Sequence, residues 1–202
     1  MTPTRWLIFA ALIIAASCGS SFAQTRWQRL PAPRDPQFYV PRNKLEEIDG
    51  RQETVLVRGR TWVGSMRATN GVARVEATEI HDAAGSSRVT GVVVTVTPAD
   101  QREESDQIRS MIDYEEIDAL VRAIDTATKA SDTITKLSHF EVRYRTRGDF
   151  EILVFRQLSS GSIAAAIEVG FYDRTRLLMS IDDLIKIRWM IVQAKEKIDE
   201  MK

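Results

Sequence analysis

A histidine held between a serine and a carboxylate is the simplest hydrolytic apparatus: the imidazole takes the hydroxyl proton and the acid orients the ring. This sequence has two histidines, His81 and His139, and no motif ties either one to a nucleophile. Gly64-Ser65 and Gly161-Ser162 lack the Gly-x-Ser-x-Gly context of a nucleophile elbow. Gly59 and Gly64 bracket no phosphate loop, because no lysine-serine or lysine-threonine pair follows them. No catalytic and no cofactor-binding residue is therefore assigned, and His139, at the entrance to a strand, is expected to be structural. A hydrolase whose site is dispersed in sequence stands as the alternative.

Metal chemistry has few ligands to draw on. Cys18 is the one cysteine, so the nitrogen and sulfur ligands of a zinc site are not gathered anywhere. Glu103-Glu104-Ser105-Asp106 is the nearest approach to a calcium loop, and it lacks the ordered ligand spacing. No metal and no cofactor is expected. Glu115-Glu116 and Asp182-Asp183 fall at two helix starts, where capping and the helix dipole account for paired acids. Arg143, Arg145 and Arg147, with Tyr144 and Phe155 near them, form the kind of basic and aromatic strip on which single-stranded nucleic acid stacks. Glu141, Asp149 and Glu151 interrupt the strip, so cross-strand ion pairs are the expected use of these arginines. Lys plus Arg and Asp plus Glu both number 28, a balance that argues against general polyanion binding.

These side chains must be placed by strands and helices, and the strongest such signal is near the C-terminus. Leu184, Ile187, Ile191, Ala194, Ile198 and Met201 recur at helical spacing, and Ser180 with Asp183 has the form of a capping box. Sixty-seven residues earlier the pattern repeats. Asp113 stands for Ser180, Glu116 for Asp183, and Ile117, Leu120, Ile124 and Ala127 for Leu184, Ile187, Ile191 and Ala194. About two and a half heptads are fewer than a coiled coil uses, so core packing is expected, with a homodimer through this helix as the alternative.

Ahead of each helix the texture is that of a sheet. Residues 54–66, 72–80, 89–96 and the approach at 107–112 read as strands, with a bend at Gly59 or Gly64 and a tight turn at Asn70-Gly71. Residues 140–145, 150–156, 163–169 and 175–179 repeat the order, with turns at Gly148-Asp149 and 159–162. The expected class is α+β. One domain over residues 53–202 holds two β-rich repeats, 53–131 and 138–202, of about four antiparallel strands each, and each repeat is closed by an amphipathic helix.

The N-terminal residues are of another kind. Arg5 followed by the apolar run Trp6–Ala16 and then Ser21-Phe22-Ala23 has the layout of a signal peptide over residues 1–23, cleaved after Ala23. Ala15-Ala16-Ser17-Cys18 is the competing lipoprotein site, which would anchor the chain through Cys18. Residues 24–52 follow as a proline-rich linker with Pro31, Pro33, Pro36 and Pro41. Trp27, Phe38 and Tyr39 are its candidate partner contacts, and Asn43 with Glu46 its local helical cap. An exported, periplasmic or extracellular protein is expected.

At IDYEEIDALVRAID (Ile112–Asp125), FEVRYRTRGDFEI (Phe140–Ile152) and SIDDLIKIRWMIVQAKEKI (Ser180–Ile198) the chain resembles a family of small exported bacterial proteins of unassigned function. That resemblance supports the boundaries above and brings no catalytic residues with it. The order of elements also resembles the Whirly and Pur-alpha type of fold, whose sheets bind single-stranded nucleic acid; fold likeness alone does not carry function. The expected function is binding or structural association with an unknown protein or envelope component. A nucleic-acid partner is the less favoured alternative.

Overall fold

Small and β-branched residues alternate along the first half of the chain, and the strands they form are long. In the computed structural model, which describes residues 40–100, 107–130, 135–172 and 174–202, these are β1 Leu56–Ala68, β2 Gly71–Asp82, β3 Arg88–Pro98 and β4 Ile108–Asp113. They make one antiparallel sheet in the order β1-β2-β3-β4. β5 Glu141–Arg145, β6 Glu151–Arg156, β7 Ile163–Val169 and β8 Thr175–Met179 make a second sheet in the order β5-β6-β7-β8. Each sheet runs into a helix: α2 Ile117–Ala127, entered through a 3-10 turn at Tyr114–Glu116, and α3 Ile181–Asp199. A short helix, α1 Lys44–Asp49, precedes them all. Ala23, Cys18, the linker up to Tyr39 and the acidic run Glu103–Asp106 lie outside the described residues.

The architecture is thus α+β with two four-stranded repeats. The echo between the helices is structural as well: Ile117, Leu120, Ile124 and Ala127 are all fully buried, and so are Leu184, Ile187, Ile191 and Ala194. All eight belong to one apolar core that also takes in Val75, Val94, Ile152 and Ile167 from the two sheets. Met201, which the helical spacing placed on the apolar stripe, lies past the end of α3 and is exposed; Met190 is buried in its stead.

The helices exchange sheets. α3 lies mainly against β1, β2 and β3 of the first sheet and also touches β7 of its own repeat, while α2 lies against β5 and β6 of the second sheet. They also touch each other, and Arg188 of α3 clasps Asp125 of α2 with two parallel bonds, Nε to Oδ1 at 2.6 Å and Nη2 to Oδ2 at 2.9 Å. The hydrogen bond from Arg188 holds the Asp125 carboxyl below its ordinary value of 3.8. A depressed acid stabilises the fold above its unfolded pKa, and that gain is lost as pH falls through the folded value. We expect Asp125→Asn to cost about 0.2–1 kcal/mol at neutral pH, because the pair is half-exposed. The difference from wild type shrinks in melts recorded as pH falls below 3.8 and the acid takes up its proton; a deficit that does not shrink would mean the pair is not its source.

Two local features hold the sheets in register with one another. The β1–β2 hairpin turns on Thr69 and Asn70, one residue earlier than the Asn-Gly signal implied, with Gly71 opposite Ala68 as the first residue of β2. The reason is space: a Cβ on Gly71 would meet the Thr97 carbonyl oxygen at 2.5 Å and Leu177 Cδ2 at 2.8 Å. Asn70 then reaches across to β8, its Nδ2 donating to the Arg176 carbonyl at 2.8 Å and its Oδ1 accepting from the Leu178 amide at 2.9 Å.

α1 packs on the outer face of the first sheet. Its Leu45 and Ile48 close a second small core with Ile80, Val93 and Met111, so β3 is covered on both faces, as its run of valines requires. The predicted Asn43 cap forms: Asn43 Oδ1 accepts from the Glu46 amide at 2.9 Å.

Candidate functional site

The repeated helix starts use their acids differently. At α3 the capping box forms, with Ser180 Oγ accepting from the Asp183 amide at 3.1 Å and donating to Asp183 Oδ2 at 2.8 Å. At α2 it does not. Asp113 makes no side-chain cap there; its carboxylate accepts from the amides of Lys44 at 2.9 Å and Leu45 at 3.0 Å, capping α1 from a distant part of the chain. Glu116 accepts from the Arg147 amide at 2.9 Å, fixing the β5–β6 turn, and Glu115 pairs with Lys44. The capping explanation of Glu115-Glu116 is replaced by long-range ties, because α1 and the β5–β6 turn press on this corner and need acceptors.

The arginine strip is spoken for by carboxylates. Arg143 lies 2.8 Å from Glu151 and 2.7 Å from Glu141, Arg145 bonds Asp149 at 2.7 Å, and Arg147 lies 3.3 Å from Glu116. Glu151 is fully buried and also receives Arg174, which spans to Glu168 at 2.9 Å. A buried acid needs such partners, and these arginines supply them.

The histidines do not meet a nucleophile. His81 is 3.8 Å from Glu79, whose carboxylate is bound by Arg88. His139 does share an open depression of about 650 Å³ with Glu141 and Ser159. Glu141 is engaged by Arg143, however, and the nearby hydroxyls of Ser160 and Ser162 bond Gln157 Oε1 at 2.8 and 3.1 Å. Among the described residues no hydrogen bond joins His139 to a serine or an acid. No group of His, Cys, Asp or Glu among them is placed to hold a metal.

A concave apolar feature lies elsewhere, between α3 and β1. Ile185 and Trp189, one helical turn apart, stand exposed beside Ser65 and Met66 of β1, with Lys186 and Met190 completing a groove of about 480 Å³. α3 comes this close because residue 64 is glycine: a Cβ there would lie 2.7 Å from Met190 Sδ. The β1 bulge between Trp62 and Gly64, anticipated from the glycine, turns the strand at the same place. Lys186 is tied to Asp183 at 2.7 Å, and that hydrogen bond raises the lysine's pKa and lowers the acid's. The rim of the groove therefore carries a paired charge and its interior is apolar.

Sequence reasoning did not single out Ile185 and Trp189. The signal was present, since both are large apolar residues off the phase of the buried stripe and four apart, on a neighbouring face. Their use depended on β1 lying alongside. The fold and the groove define an α+β protein of two repeats; comparison of the chain with protein-family models, curated proteins and solved structures gives no match.

Proposed function

We propose that this is an exported protein that works by binding or structural association, and that the α3–β1 groove is its contact surface. One observation carries the reading: Trp189 is 58% and Ile185 45% exposed, side by side in a concavity, on a helix whose core stripe is otherwise sealed. Scattered exposed apolar residues are ordinary, but a concave apolar cluster beside a strand edge is where partners dock. The leader-like residues ending at Ala23 support an envelope or extracellular setting for the partner.

The test is capture of proteins by the tagged mature chain from its own envelope extract, compared with the Ile185→Asp, Trp189→Ala double variant. Both positions face solvent, so the variant keeps the wild-type melting midpoint. Its capture of the specific partner should fall at least tenfold. Undiminished capture would place the contact surface elsewhere on the molecule.

A further inference from the structure

Building on the reading of the α3–β1 groove as a binding surface, we infer that its occupant is an acidic, extended segment of another protein, added as a strand to the free edge of β1. β1 is thirteen residues long, stands at the end of its sheet, and among the described residues pairs only with β2. Its second edge therefore presents backbone donors and acceptors of the kind that template an incoming strand.

Side chains of an added strand point alternately to the two faces of the sheet. On one face they meet Ile185 and Trp189 in the groove. On the other they meet the row formed by Arg60, Trp62 and Arg67 of β1 and Arg74, which lies opposite Ser65. Trp62 is 62% exposed. β1 contains Arg58, Arg60 and Arg67 and no acidic residue. Arg58 is held by Asp49 at 2.6 Å, whereas Arg60, Arg67 and Arg74 have no acidic partner among the described residues. Glu76, opposite Trp62, and Asp82, opposite Leu56 at the far end of the strand, are the acids on that face of β2. A ligand strand that alternates apolar and acidic residues satisfies both faces together.

The same charges disfavour the other occupants. A second copy would lay one arginine-bearing edge against another, and like charges across strands destabilise the pairing. Residues 24–42 of this chain carry Arg26, Arg29, Arg34 and Arg42 against Asp35 alone, and their prolines cannot donate to a ladder.

The experiment titrates the full chain into two fluorescently labelled peptides, one alternating valine with glutamate and one alternating valine with lysine, and follows anisotropy. The glutamate peptide binds, its affinity drops as salt rises from about 0.05 to about 0.5 M, and amide exchange slows along residues 63–67 when it is bound. Arg60→Glu with Arg67→Glu weakens it at least tenfold, with an unchanged melt. Failure of the glutamate peptide to bind, equal binding of the lysine peptide, or indifference to the arginine pair would overturn the inference. So would a concentration-dependent dimer in sedimentation that Ile185→Asp dissolves. If the glutamate peptide fails while the groove variant still loses its captured partner, the groove stands as the binding surface and only the occupant's chemistry is wrong.

Discussion

Ile191→Asp abolishes cooperative unfolding. Ile191 is fully buried on α3, in a core cluster whose buried members are all apolar. An aspartate there has no cation to pair with, and an unpaired buried charge costs several kcal/mol after relaxation. A domain of this size has about 5–15 kcal/mol of stability in all. Far-UV circular dichroism of the variant should show no cooperative thermal transition, whereas Ile191→Val, which removes one methyl, should cost only about 0.5–1.5 kcal/mol. A variant that melts at the wild-type midpoint would refute the placement of this helix in the core.

Asp113→Ala releases α1. The Asp113 carboxylate is fully buried and accepts from two amides at the start of that helix, so its removal strands the buried Leu45 amide. Hydrogen bonds to a charged group are worth about 1.5–3 kcal/mol each, partly offset here by the cost of burying the acid, and a net loss of about 2–3 kcal/mol is expected. Amide exchange over residues 45–48 should accelerate before any other part of the protein responds. Burial pushes the Asp113 carboxyl above its ordinary 3.8. The native state therefore binds this proton more readily than the unfolded chain does, and wild-type stability gains from this group as pH falls from neutrality toward 3.8. The gap between wild type and Asp113→Ala accordingly widens over that range. A gap that narrows instead would show that the carboxyl's surroundings have been misjudged.

The fold was largely legible because it rests on periodicity. Alternation along Val72–Ile80 and Ile163–Val169, and the three-and-four spacing of Leu184 to Ile198, report which side of an element is covered, and coverage is a property of the residue itself. What covers it is not. Nothing local in Asp113 distinguishes a residue that caps the next helix from one that caps a helix 68 residues earlier. The two repeats share the helix start and its buried phase, yet only Ser180 has the short hydroxyl that accepts from the amide three residues further on. The groove was hidden for the same reason: Trp189 reads as one more apolar residue on a helix until β1, more than a hundred positions away, is laid beside it.

The exchange of helices between sheets sets an order of events during synthesis. The first sheet is complete at Asp113, but the helix that lies over it does not begin until Ile181. A chain emerging from the ribosome at about 5–20 residues per second thus spends several seconds with a finished set of strand sequences and no lid for them. Long-range closure of this kind is slow in any case, since the intervening loop must be brought in before any contact rewards it. The first repeat is therefore an unreliable folding unit alone, and a fragment ending before Ile181 has an apolar sheet face left bare. With α3 as the latch, the order in which the first sheet and its cover are made is written into the topology.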